Sequence, residues 1–342
     1  MTAISADNQA EVLVEMQNLT KQFGKTKAVD DITLEVPKGS IFGFIGPSGC
    51  GKTTTVRLMI GNYHPTEGMV KVFGQTPAKF SRADKKRIGY MPQLFILYPE
   101  ISIWENLQFA ASIYGYPFSR KQRFAELLDL VELTGHENKL VRNISGGMQR
   151  RLSLATTLIH DPQLIFLDEP TAGIDPVLRR KFWDYFRILR DEGHTLFVTT
   201  QYVGEAAYCD YVGVLRQGRL LMVETPTDLR YKALGGDIVR FETAGPLSSA
   251  IIEGLQALPF VRQEVAFLDS RSLQLVVDEA GTSIPKLLDW VEGQGVEITS
   301  ISEFVPPFDD VFVQIMEAME ADSLPPSEAI VRESTTSTEE SE

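Results

Sequence analysis

Apolar and polar positions alternate from Val12 to Leu19, with Val12, Val14, Met16 and Leu19 apolar. A period of two predicts a half-buried strand. A short polar loop, Lys21-Gln22-Phe23-Gly24-Lys25, follows. Ala28 to Val36 predicts a second strand, closed by the turn signal Pro37-Lys38-Gly39. Ile41 to Ile45 is an unbroken apolar run, as expected of a strand buried on both faces. Thr53 to Ile60 predicts a helix, then Gly68 to Phe73 and Arg87 to Met91 predict strands. Between Ile101 and Ile159 the period lengthens: Trp104, Leu107, Ala111 and Tyr114 recur at helical spacing, as do Phe124, Leu127, Leu128 and Val131. Leu164 to Leu167 returns to a buried strand. A helix from Pro176 to Arg190 and a strand from Thr195 to Thr199 follow. Tyr211–Arg216 and Arg219–Val223 predict a hairpin around Gln217-Gly218.

This order predicts an α/β core over residues 12–235, interrupted by a helical subdomain at about 97–160. Gly235-Gly236 is read as a domain boundary. Beyond it the pattern runs strand, helix, strand, strand, helix, strand: Asp237–Phe241, Leu247–Ala257, Val261–Leu268, Ser272–Val277, Ile284–Gly293 and Glu297–Phe304. That order fits a small ferredoxin-like α+β domain over residues 236–319, ending in a helix from Phe308 to Met319. Residues 1–11 read as a flexible leader and 320–342 as an acidic disordered tail.

Composition narrows the class. The chain has 342 residues, 43% hydrophobic and 23% charged, as globular proteins do. No apolar run approaches the roughly 18 residues of a membrane-spanning helix. The polar start is not a secretory signal. A chain soluble by itself is expected, with any membrane role supplied by a partner. Two cysteines, Cys50 and Cys209, make no disulfide framework and favour a reducing compartment. The net charge is −13, and Glu317 to Glu342 alone holds eight acidic residues against one basic. The rest stays mildly acidic, so no nucleic-acid partner is expected.

The chemistry begins at Gly46-Pro47-Ser48-Gly49-Cys50-Gly51-Lys52-Thr53, which fits G-x-x-x-x-G-K-[ST] between a strand and a helix. Such a loop turns successive backbone N–H groups around a phosphate, and the new helix adds its positive end. Lys52 is expected on the β- and γ-phosphates and the Thr53 hydroxyl on Mg²⁺, with Thr54 extending the cradle. At the end of the strand Leu164–Leu167, Asp168 is expected to help hold Mg²⁺. Glu169 beside it is placed to take a proton from an attacking water. Ser145-Gly146-Gly147, opening the apolar helix Leu152 to Ile159, is either another anion cradle or a simple N-cap.

Taken together, these motifs resemble the ATP-binding cassette family over about Val12 to Leu234. Gly89-Tyr90-Met91-Pro92-Gln93 matches its glutamine loop. Ile144-Ser145-Gly146-Gly147-Met148 matches its signature, and Gly173-Ile174-Asp175-Pro176 matches the loop that crosses its dimer interface. Within the family the chain resembles ATPase subunits of drug- and glycan-export systems, daunorubicin-resistance types included. Their extension often ends like Pro306-Pro307-Phe308-Asp309-Asp310-Val311-Phe312.

The resemblance implies a fold, a site and partners. The fold is a phosphate-loop NTPase core with a helical subdomain. Phe23 stacks on adenine, Gln93 touches Mg²⁺ or the attacking water, and Ser145 and Gly147 bind the γ-phosphate of ATP held by a second chain. Asp175 organises the shared interface. The expected partners are a transmembrane permease subunit and a second ATPase subunit, a homodimer being preferred. Peripheral attachment to the cytoplasmic face of the membrane follows from the permease. An importer ATPase with a C-terminal regulatory domain would share every ATP residue. The second domain and its Pro-Pro-Phe-Asp-Asp-Val-Phe ending favour export. A non-transport member usually has two cassettes or a long coiled-coil insertion, and this chain has neither. One departure stands out: where the family usually places His after the strand ending near Thr199-Thr200, this chain has Gln201. Glutamine donates only a neutral hydrogen bond, so an active but slower ATPase is expected.

Overall fold

The computed structural model describes residues 11–116, 121–263 and 265–323. The expected leader and acidic tail therefore lie almost wholly outside the described residues. The chain divides into two units, Met1–Pro226 and Thr227–Glu342. The division falls nine residues before the expected Gly235-Gly236 break, which places most of the helix Pro226–Leu234 in the second unit.

The first unit opens with β1 (Val12–Phe23), β2 (Thr26–Pro37), β3 (Ile41–Ile45), α1 (Lys52–Met59), β4 (Glu67–Val72), α2 (Arg82–Lys86) and β5 (Ile88–Met91). Here the polar-loop reading of Lys21-Gln22-Phe23 fails. Lys21, Gln22 and Phe23 pair with Val29, Lys27 and Thr26, so the strand continues and the connection is only Gly24-Lys25. Register shifts around Leu19 break the alternation on which the strand's end was judged. The helical subdomain contributes α3 (Ile103–Ile113), α4 (Lys121–Leu130) and α5 (Gly146–Leu158). Ser102 and Glu105 form a reciprocal capping box that starts α3. The unit closes with β6 (Leu164–Asp168), α6 (Pro176–Asp191), β7 (Thr195–Thr200), β8 (Tyr211–Arg216) and β9 (Arg219–Glu224). Gln217 and Gly218 both take positive φ at the β8–β9 turn, the mirror-image geometry a two-residue hairpin favours.

Two sheets result. β2, β1 and β4 form an antiparallel sheet. The other runs β5-β6-β7-β3-β8-β9, parallel except for β9. Both faces of β3, β6 and β7 are buried, which is why Ile41–Ile45 and Leu164–Leu167 are unbroken apolar runs and why β7 carries Leu196, Phe197 and Val198 between threonines. One apolar core joins the two sheets and α1, with Met16, Leu34, Phe42, Phe44, Val56 and Phe197 inside it. The parallel order has one consequence for function. The carboxyl ends of β5, β6, β7 and β3 all open on the same edge, the place where such sheets bind ligands.

In the second unit, α7 (Pro226–Leu234) precedes β10 (Asp237–Thr243), α8 (Ser249–Gln256), β11 (Ala266–Phe267), β12 (Ser272–Val277), α9 (Ala280–Gly293), β13 (Ile298–Glu303) and α10 (Phe308–Ser323). The four strands are antiparallel in the order β11-β12-β10-β13. Numbered within the unit this is 2-3-1-4, the arrangement of a ferredoxin-like sheet. Val239, Phe241, Leu273, Leu275, Leu287 and Val291 form its own core. Among the described residues of the strand expected over Val261–Leu268, only Ala266–Phe267 form a strand beside β12, and Val261 makes an isolated bridge to Val277. The last helix runs to Ser323, four residues past the expected end.

Candidate active site

The phosphate loop joins β3 to α1. Gly46 has no room for a side chain, since a Cβ there would lie 2.2 Å from the Leu215 carbonyl oxygen and 2.8 Å from Cys50 Sγ. Gly51 takes φ 112°, and a Cβ there would meet the Ala28 carbonyl oxygen at 2.2 Å. The loop can only take this path with glycine at both positions. Pro47, Ser48 and Gly49 are exposed, Thr53 and Thr54 half-buried, and Cys50 is buried with its thiol pushed up by desolvation.

Lys52 is 4% exposed. Its Nζ donates to the carbonyl oxygens of Gly46 at 2.8 Å and Pro47 at 3.1 Å and lies 3.7 Å from Glu169 Oε1. Glu169, the residue after β6, has φ 51°, unusual for a non-glycine residue. Such a conformation costs of order 1 kcal/mol and needs outside support. The support is its backbone N–H, which donates to the Thr199 carbonyl oxygen at 3.0 Å and to Thr199 Oγ1 at 3.1 Å. Gln93, just past β5, donates from Nε2 to Glu169 Oε2 at 3.1 Å. Gln201, just past β7, accepts from Ser48 Oγ at 2.8 Å. Residues far apart in the chain thus meet because four parallel strands end side by side.

Asp168 is fully buried, and its Oδ1 accepts from Thr199 Oγ1 at 2.6 Å and Thr53 Oγ1 at 3.1 Å. Its Oδ2 is buried without a hydrogen-bond partner. A desolvated carboxylate oxygen is costly unless a donor or cation meets it. Hard oxygen donors on Asp168 and Thr53 fit Mg²⁺.

Arg150 is 3% exposed and completes the cluster. Its Nε donates to the Pro170 carbonyl oxygen at 3.0 Å, its Nη1 to that of Gln93 at 2.8 Å and its Nη2 to that of Glu169. Burial lowers its affinity for the proton, and Glu169 and Asp168 oppose that effect. Two buried cations, Lys52 and Arg150, therefore face two buried anions, Asp168 and Glu169. That balance is what makes so much buried charge tolerable.

Phe23 is 44% exposed rather than a core aromatic. It stands edge-on to Tyr63 at 5.3 Å, with Lys21 Nζ 5.0 Å from its ring centroid, and leaves a surface suited to stacking. Ser145 caps α5 by accepting from the Met148 N–H at 3.3 Å, so the N-cap reading of that serine holds. Gly146 and Gly147 open the same helix, with open space at Gly146. Asp175 caps α6 by accepting from the N–H groups of Val177 and Leu178, both at 3.0 Å, which hold its carboxyl below the usual range. Among the described residues, the side chains of Phe23, Ser145 and Asp175 make no hydrogen bond to the cluster around Lys52.

His160 and His194 sit against the Ile88 and Pro162 carbonyl oxygens at 2.9 and 2.7 Å, by the amino ends of β5 and β6. Neither replaces the missing histidine. The sequence motifs do not single out Thr199 or Arg150, which the fold brings against Asp168 and Glu169. Arg150 left a trace in the sequence, as a charge in register with Leu154 and Thr157 on the buried stripe of α5. Nothing local marked Thr199.

Comparisons with known proteins agree with this fold. The family model described as ABC transporter matches residues 29–172. The daunorubicin/doxorubicin resistance ATP-binding protein DrrA of Streptomyces peucetius is 32% identical over 304 residues, covering 88% of this chain and 92% of that one. This chain belongs to the ATP-binding cassette family. The probable multidrug ABC transporter ATP-binding protein YbhF of Escherichia coli is 37% identical over 224 residues, covering 64% of this chain. The chain spans only 38% of the length of YbhF. A dimeric post-hydrolysis structure of the ATP-binding cassette MJ0796, bound to ADP and Pi, superposes with a TM-score of 0.58 at 26% identity. It covers 62% of this chain and 98% of that one. The chain is an ABC ATPase.

Proposed function

We propose that this ABC ATPase is the motor subunit of an exporter, in which two copies enclose two ATPs and drive a separate membrane-spanning permease. One observation carries the reading. Lys52, Gln93, Asp168, Glu169 and Gln201 converge at one sheet edge, while Ser145 stands exposed at a helix start outside that cluster. A cassette so arranged lacks one wall of its site until a second chain brings its own Ser145. The dimeric post-hydrolysis structure of MJ0796 supports that pairing. The names of DrrA and YbhF support export of drug-like cargo. Two like copies are the simplest arrangement.

The chemistry follows from the donors in place. Phe23 offers its ring to the adenine. Lys52 and the N–H groups of the loop draw negative charge on the β- and γ-phosphates. Asp168 and Thr53 hold Mg²⁺, which when bound neutralises charge on the phosphate oxygens. Glu169 takes a proton from water as the water oxygen bonds to the γ-phosphorus, and the bond to the bridging oxygen breaks to release ADP. Gln93 steadies the Glu169 carboxylate. Gln201 donates a neutral hydrogen bond to the γ-phosphate.

Among the described residues no helix is long and apolar enough to cross a membrane. The permease contact is assigned to the exposed apolar stretch beside Gln93, where Leu94 is 82% and Ile96 74% exposed. That contact would hold the chain at the cytoplasmic face of the membrane. The two-chain reading is tested with Glu169→Gln, which should trap ATP. Size-exclusion chromatography with light scattering should show a dimer in MgATP and a monomer without nucleotide. A chain that stays monomeric at saturating MgATP refutes the reading.

A further inference from the structure

Arg150 lies on the same helix as Ser145, and its guanidinium is held by three backbone carbonyls rather than by a carboxylate. Those carbonyls belong to Gln93, Glu169 and Pro170, two of them on the residues assigned to the attacking water. The guanidinium also lies 5.4 Å from the centroid of Phe95, in the exposed apolar stretch that follows Gln93. One rigid, fork-shaped group therefore ties α5 to the glutamine loop and to the end of β6. The fork geometry matters: a planar guanidinium can direct N–H groups to three fixed oxygens, and the compact ammonium of lysine cannot reproduce that pattern.

We propose that Arg150 is a positioning residue that transmits events at the start of α5 to the Glu169 carboxylate and Gln93 amide of its own chain. The proposal rests on the two-chain reading above. Seating of the partner's ATP on Ser145 pulls on the first turn of α5. Arg150 sits within two turns of that point, on a helix whose buried side is packed tight through Leu152, Leu154, Ala155 and Leu158. A displacement of the helix start is then felt at the carbonyls of Gln93 and Glu169, and the two ATP sites of the dimer become coupled. Through Phe95 the same group also registers movement of the surface assigned to the permease.

The test uses the full chain with MgATP as the probe. Arg150→Lys keeps the charge and removes the fork. Phe95→Leu removes the ring over the guanidinium and leaves the buried charge in place, so it remains informative if Arg150→Lys folds poorly. Equilibrium ATP binding, kcat, KM and the Hill coefficient of hydrolysis are measured for each, alone and combined with Gln93→Ala. The expected result for Arg150→Lys is binding within about two-fold of the parent. Its kcat should fall about ten-fold, the size of one lost charge-assisted hydrogen bond. Its Hill coefficient should move toward one. Phe95→Leu should shift the Hill coefficient in the same direction by less. The effects of Arg150→Lys and Gln93→Ala should be non-additive, because one acts through the other.

A parent Hill coefficient above one that Arg150→Lys and Phe95→Leu leave unchanged overturns the proposal while the two-chain reading survives. Strict additivity with Gln93→Ala overturns it as well. Parallel loss of binding and turnover in Arg150→Lys, with Phe95→Leu unchanged, shows a merely structural arginine and also overturns it. A parent Hill coefficient of one, in a chain that fails to dimerise with ATP, removes the two-chain reading and the proposal together.

Discussion

Replacing Gln201 by histidine asks whether the chain's one departure from the family pattern sets its rate. Gln201 is exposed just past β7, and its Oε1 accepts from Ser48 Oγ at 2.8 Å. That bond fixes the amide so that its N–H₂ end is the one left to donate to a phosphate oxygen. A neutral hydrogen bond is worth about 0.5–1.5 kcal/mol and one from a charged donor about 1.5–3 kcal/mol. Gln201→His should therefore deepen transition-state stabilisation by about 1 kcal/mol, roughly five-fold in kcat. The gain must also titrate. Imidazolium exists below its pKa, so the charge-assisted bond is present at low pH and lost as pH rises through a value near or above the ordinary 6.5 or so. The assay is phosphate release by the full chain at saturating MgATP, at several pH values across the neutral range. The variant should exceed the parent most on the acid side and converge on it on the alkaline side. Equal turnover at every pH refutes the reasoning, and so does a gain that does not change with pH.

Trp183 is fully buried, edge-on to Phe186 at 5.4 Å and stacked on Tyr208 at 5.3 Å, so Trp183→Ala should cost about 3–5 kcal/mol in denaturant unfolding. A loss below about 1 kcal/mol would show that the site refills. Ser102→Ala removes the cap of α3 and should cost about 1 kcal/mol near neutral pH. Hydrogen bonds from Ser102 hold the Glu105 carboxyl below its usual value. That contribution is present above the ordinary glutamate range and lost as pH falls through the lowered value. The stability gap between parent and Ser102→Ala should therefore narrow in acid, and a gap that widens there would contradict the capping-box account. A chain ending at Pro226 keeps the first unit's core and its whole nucleotide cluster. It should bind MgATP as the full chain does, as measured by calorimetry, whereas loss of binding would show that the second unit completes the site.

The contiguous features were legible from the residues alone. The phosphate loop is a local structure, built from neighbouring backbone N–H groups and two glycines that nothing else could replace, so its sequence determines its shape. The runs Ile41–Ile45 and Leu164–Leu167 announced doubly buried strands, because a strand covered on both faces has no polar side to show. The βαββαβ order of the second unit was readable for the same reason: each element carries its own period. Where the period was interrupted, the sequence misled. Bulges in β1 hid the strand that carries Phe23, and the pairing of Val261–Leu268 depended on a neighbour rather than on its own alternation.

Only the tertiary structure decided which side chains meet. The order β5-β6-β7-β3 is a property of the sheet, and it sets Gln93, Asp168, Gln201 and Lys52 at one edge although up to 149 positions separate Lys52 from Gln201. Thr199 became a site residue solely because β7 lies between β6 and β3, which lets its hydroxyl bond Asp168 and its carbonyl hold the strained Glu169. Arg150 shows the same limit from the other direction. Its sequence position marked it as part of a helix start, yet its partners are carbonyls from two distant loops, and no local pattern encodes a contact that two loops make only after the sheet has formed.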